Sequence, residues 1–178
     1  MLTPRLVSQM DARFFQYGLE SILPRNGSSN DLAQQQIQSG FHFWSEQLNI
    51  EYTTLNDAGA DDGVCRFTAQ FKSGSNQIGL SNGRVDLSTI AVPGRQRAVN
   101  VAGDPSLGLN VAGFPWFYFY ESAGTIQVDL SKIGTTVETV KLVFTGWLIP
   151  TSVVLDAQAF YAALANEFPE YGTMMAQR

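Results

Sequence analysis

The sequence predicts a mainly β fold: an antiparallel β-sandwich or jelly-roll-like barrel with one C-terminal α-helix. Three observations predict it. Turn-forming residues recur about every ten positions between apolar runs, which is the spacing of short antiparallel strands. The clearest run is Val64-Cys65-Arg66-Phe67-Thr68-Ala69-Gln70-Phe71, where Cys65, Phe67, Ala69 and Phe71 share one face of a strand. Helical periodicity stands out in a single stretch near the C-terminus. A chain of 178 residues fits one domain. It divides into an arm or short helix over 1–12, a sandwich over 13–150 and a helix over 155–168.

From Arg13 the pattern alternates, with Phe15, Tyr17 and Leu19 on one side and Gln16, Gly18 and Glu20 on the other. That is a half-buried strand ended by Pro24. Residues 24–40 are polar and Gln-rich; Asn30 or Asp31 could cap a helical turn or two there, and a long polar loop fits equally. Residues 41–54 read as a strand or a strand pair and 55–63 as an acidic turn. Short strands are expected near 77–80 and 84–90, joined by Ser81-Asn82-Gly83, a hairpin signal. Residues 91–113 are loop-like. Strands follow over 114–120, 124–130 and 136–149. In the last element Asp156 is placed to cap a helix. Phe160, Leu164 and Phe168 fall at i, i+4 and i+8, and Pro169 stops it. This helix is expected on the sheet or on a neighbouring subunit. Met174 and Met175 in the tail suggest an adaptable contact.

Charged residues are 15% of the chain, against about 25% in a typical soluble domain. Ser, Thr, Asn and Gln fill the deficit. The net charge is −5 and there are only three Lys, a poor basis for neutralising phosphates, so no direct nucleic-acid binding is expected. No apolar run approaches the roughly 20 residues of a membrane-spanning helix. Cys65 is the sole cysteine and reads as a buried thiol. Met1-Leu2-Thr3-Pro4-Arg5 lacks the apolar core of a secretory signal.

Catalysis finds little support in this pattern. His42 is the only histidine, so any Ser-His-Asp or Cys-His site must use it. It lies between Phe41 and Phe43 in a strand and faces away from both. There is no Gly-x-Ser-x-Gly elbow and no phosphate-binding glycine loop. No enzyme activity and no cofactor are expected. Asp57, Asp61 and Asp62 supply hard oxygens in a short span, a weak calcium candidate that departs from the EF-hand spacing. A solvated hairpin loop explains them as well.

The most unusual segment is Phe114-Pro115-Trp116-Phe117-Tyr118-Phe119-Tyr120, six aromatics in seven residues. In a strand, Phe114, Trp116, Tyr118 and Tyr120 point one way and Phe117 and Phe119 the other. A central strand buried on both faces accounts for this. So does a face that meets another chain, since Trp and Tyr are enriched in interface anchors. With Trp44 and Trp147, Trp116 and Tyr118 also form a candidate sugar-stacking set. Arg95 and Arg97 make one small basic spot in a Pro-Gly turn, a solvated loop or a contact for an acidic strand.

In its β-rich character, long Gly/Asn/Ser/Pro loops, high aromatic content and few charges, the sequence resembles the small β-sandwich capsid proteins of phages and other viruses, which often carry a terminal arm. The resemblance implies a structural role through self-association and contact with other virion proteins, in a virion assembled in the host cytoplasm. The expected interface is Phe114 to Tyr120, the arm, the Arg95/Arg97 loop, and the helix through Phe160 and Leu164. A carbohydrate- or receptor-binding sandwich is the alternative reading, and a small β-barrel enzyme the third.

Overall fold

The computed structural model describes residues 1–23, 29–54, 66–73, 76–78, 85–86, 110–133 and 138–168. In chain order the elements are α1 (Pro4–Gln9), β1 (Arg13–Leu23), β2 (Ser29–Gln36), β3 (Phe41–Thr54), β4 (Arg66–Ser73), β5 (Asn76–Gln77), β6 (Val85–Asp86), β7 (Asn110–Tyr120), β8 (Thr125–Ile133), β9 (Glu138–Pro150) and α2 (Ala157–Glu167). One antiparallel sheet has the order β1-β9-β3-β7. The other has the order β2-β8-β4, with the two-residue strands β5 and β6 paired to β4. The chain therefore crosses from one sheet to the other between β1 and β2, β2 and β3, β3 and β4, β6 and β7, β7 and β8, and β8 and β9. This alternation is jelly-roll connectivity.

Alternating side chains fill the space between the sheets. Tyr17, Leu19, Phe43, Leu48, Ile50, Leu142 and Phe144 enter from the first sheet; Ala69, Phe71, Ile126, Val128 and Leu130 enter from the second. The outward positions of the second sheet are mostly polar, with Leu32 on β2 the exposed apolar exception among the described residues, and Lys72 pairs with Asp129 across it at 3.8 Å. The first sheet differs. Part of its outer face is apolar too, and α1 and α2 lie over that part. It is thus the middle layer of three.

Several sequence expectations change. Residues 29–36 form β2, paired along its length with β8, in place of the expected helical turn or polar loop. An edge strand needs little apolar surface, and here Ala33 within it and Ile37 just beyond are enough. Residues 110–113, expected as loop, begin β7. Residues 41–54 are one strand, with a bulge between Ser45 and Gln47 rather than a turn. The expected strands near 77–80 and 84–90 are two residues long each among the described residues. Cys65, the tail with Met174 and Met175, the acidic turn with Asp57, Asp61 and Asp62, and the Arg95/Arg97 loop lie outside the described residues.

Both helices start where their capping residues require. The Asp156 carboxylate accepts from the Ala159 N–H at 2.8 Å, and the Thr3 hydroxyl accepts from the Leu6 N–H with Pro4 at the first helical position. α1 ends in a Schellman turn: the Ala12 N–H donates to Val7 O at 2.9 Å and the Asp11 N–H to Ser8 O at 3.4 Å. That turn needs a left-handed residue, and Asp11 takes the role at φ +47°.

Candidate functional site: the aromatic face under the helices

The register sets a row of rings across the outer face of the first sheet. Phe14 on β1 pairs with Trp147 on β9, Trp147 with Trp44 on β3, and Trp44 with Phe119 on β7. Directly opposed residues share a face, so these four side chains point the same way. Phe14 meets Trp147 edge-on at 5.9 Å between centroids, and Phe117, two residues before Phe119 on the same face, stacks on Trp44 at 6.0 Å. From α2, Phe160 sits 4.9 Å from Trp44 and 4.7 Å from Phe119, and Tyr161 closes on both. The centre of the row is therefore dry, and its ends are not. Phe14 is 61% exposed and Phe117 is 52% exposed, on opposite edges of the sheet. Phe15, next to Phe14, is partly exposed as well.

Beyond this row the same face turns polar. The Thr145 hydroxyl accepts from Gln16 and from Asn49 at 3.3 and 3.4 Å. The helices thus cover the aromatic end of the face, and the uncovered end carries amides, hydroxyls and the Glu20 and Lys141 charges around a half-buried Val143.

His42 lies in the covered layer, buried and tilted against Phe119 at 4.9 Å. Its Nδ1 accepts from the Ser122 N–H at 3.1 Å, so the proton sits on Nε2, which donates to Val154 O at 3.1 Å. Both ring nitrogens are engaged with main chain, one with the turn after β7 and one with the segment leading into α2. The ring is a strut between two parts of the fold. Glu46, the extra residue of the β3 bulge, has a related task. Its carboxylate accepts from the Trp44 Nε1–H at 3.2 Å and from the Leu2 N–H, tying the arm to the sheet. Across the layer Arg5 and Thr3 of the arm both reach Glu167 at the end of α2.

Several residues expected at an interface are spent inside the chain. Trp116 and Tyr120 lie in the inter-sheet core, where the Trp116 Nε1–H donates to the Tyr120 hydroxyl at 3.3 Å. Burial pushes that hydroxyl far above the ordinary tyrosine value. Burial raises Tyr17 as well, although the Gln38 N–H donates to its hydroxyl. Phe119, Phe160 and Leu164 belong to the layer between helices and sheet. Leu2, Leu6 and Met10 of the arm are buried there too, so the arm covers its own sheet. β7 is not a central strand; among the described residues it pairs with β3 alone. Its two apolar faces arise because one meets the second sheet and the other meets α2. Tyr118 is half-buried beside Tyr120, and the side chain of Phe114 is not described. The sugar-stacking set is not assembled, since Trp44 and Trp116 are buried on opposite sides of the sheet. Sequence reasoning misses Phe14 and does not single out Phe117 from its neighbours. The register that puts Phe14 at the end of an aromatic row joins β1 to β9, which are more than 100 residues apart in the chain. Among the described residues no cluster of His, Cys, Asp and Glu has the make-up of a metal site.

Fold and face together define the class: a jelly-roll β-sandwich domain with a helical layer on one sheet. No family model matches the chain, and no curated protein does. Among solved structures, the insecticidal delta-endotoxin Cry8Ea1 of Bacillus thuringiensis is 15% identical with a TM-score of 0.38, over 74% of this chain and 19% of the endotoxin. Structures of the Gt and Gx strains of infectious bursal disease virus are 11% and 12% identical, each with a TM-score of 0.27. They overlap 93% of this chain and 52% and 53% of theirs. The chain spans about half the length of the viral chains and about a fifth of the toxin. Similarity at this level transfers no function.

Proposed function

We propose that this chain is a structural subunit of a multi-protein assembly, a virion shell, decoration or connector protein that acts through self-association and contacts with other virion proteins. The observation that carries the reading is the pair of exposed rings at the two ends of the aromatic row, Phe14 and Phe117. What favours a partner there is that both are aromatic and continue a buried cluster, since aromatic residues are enriched in interface cores. They lie on opposite edges of the sheet, so one subunit presents two separate contacts, as a repeating assembly requires. The chain's three Lys are in keeping with this, because Lys is depleted in interfaces.

Jelly rolls serve as capsid domains, lectins and cupins, so the fold gives this choice by analogy only. A lectin-like reading needs exposed flat rings, and Trp44 and Trp116 are buried. Catalysis has no part in the reading, and assembly in a host cytoplasm goes with it. The test is the solution mass of the wild-type protein beside a Phe14→Ser/Phe117→Ser variant. A discrete oligomer that the double substitution dissociates supports the reading, and an oligomer indifferent to it removes these rings from the interface.

A further inference from the structure

We infer that two copies of this chain exchange their α1 arms, each arm docking on the sheet and α2 of its partner. The inference rests on the self-association reading above and names the segment that would mediate it. The docking surface is seen in its closed form. Leu2 just before the helix, Leu6 within it and Met10 at its C-cap are all buried in the layer that holds Trp44, Ile149, Phe160 and Leu164. Three polar ties add to it: Leu2 N–H to Glu46, the Thr3 hydroxyl to Glu167, and Arg5 to Glu167 at 3.6 Å. A six-residue helix has no stability of its own, so the arm is ordered by this cradle. The same cradle on a second copy fits it identically.

Two independent features favour the exchanged form. The first is the hinge. Only Asp11 and Ala12 separate the α1 cap from β1, and Asp11 is held left-handed at φ +47°, a conformation that glycine adopts freely and aspartate at a modest cost. Short hinges under strain invite domain swapping, because the extended hinge of the exchanged form relieves them. The second is the start of β1, directly after the hinge. Phe14 and Phe15 are both exposed, on an edge strand that runs eleven residues without a bulge or a proline. Exchange brings the two hinges together and sets Phe14, on the outer face, against its counterpart; the closed form leaves that ring in water.

The test uses the full chain with Cys65→Ser as background. Arg5→Cys chains and Glu167→Cys chains are unfolded and refolded together, then treated with a short bismaleimide; the doubly substituted chain is treated alongside. Arg5 is largely exposed, so the burial of Leu2, Leu6 and Met10 stays intact. Exchange predicts a covalent link between an Arg5→Cys chain and a Glu167→Cys chain. It also predicts that Asp11→Gly, which relaxes the closed turn, and Phe14→Ser, which removes the new contact, each lower the yield of that link several-fold. If the doubly substituted chain is bridged only within itself and the mixture yields no link, the arm is closed and the inference is wrong. Light scattering on the same samples separates the two ideas. Oligomers with closed arms overturn the exchange alone, and monomers with closed arms overturn the assembly reading as well.

Discussion

Gly146 shows how closely the first sheet is fitted. A Cβ there would collide with the main-chain carbonyl of Trp44 and lie 2.8 Å from Ser45 Cα, at the point where the β3 bulge begins. Backbone atoms cannot swing aside as a flexible side chain does. Gly146→Ala is expected to destabilise the fold by at least the ~1–3 kcal/mol typical of overpacking, read as a lower denaturant midpoint at unchanged slope. The buried tyrosines make a second prediction. Tyr120 and Tyr17 hold their protons more tightly in the folded chain than the ordinary tyrosine value of 10.0. The stability linked to them is complete below pH 10 and is lost as pH rises through and above it, because the unfolded chain releases those protons first. Alkaline titration should show unfolding and tyrosinate absorbance rising together, and Tyr120→Phe should make the loss of stability shallower. The sequence argues against a catalytic His42 only through its solitude. Its actual partners, the main chain at Ser122 and Val154, lie 80 and 112 residues away and leave no local signal.

At the scale of elements, α2 is the best-marked segment in the sequence, and its cap at Asp156 and its buried Phe160 and Leu164 are as the pattern predicts. Its docking site is legible only as a choice between sheet and neighbour, and its own sheet is the answer. Phe160 fills the space between Trp44 and Phe119, so Phe160→Ala should cost about 3–5 kcal/mol in a denaturant titration. Removing residues 155–178 would uncover Trp44, Phe119 and Ile149 together. The truncated chain should therefore bind a dye specific for exposed apolar surface and aggregate, and a stable soluble monomer would show that the helix is dispensable to the layer. β2 marks the opposite limit. Gln34, Gln35 and Gln36 have neither the alternation nor the branching of a typical strand, and only pairing with β8 makes them one.

For the whole molecule, the class of fold is readable because turn spacing and alternation are local, whereas the interleaved strand order depends on pairings between distant segments. The aromatic run at 114–120 is legible as two-faced, but its place in the sheet is not, since a covering helix and a facing strand leave the same apolar pattern. That is why its rings are mostly spent within the fold, and why Phe14 and Phe117, at the rims, carry the proposed contacts. The most direct test is light scattering of the purified wild-type chain across a range of concentrations, with the Phe14→Ser/Phe117→Ser variant at matched thermal stability. Assembly through these rings predicts a discrete oligomer or shell-like species for the wild type and a shift to 19.5 kDa monomer for the variant. A wild-type chain that stays monomeric at every concentration, or a variant that assembles unchanged, would contradict it.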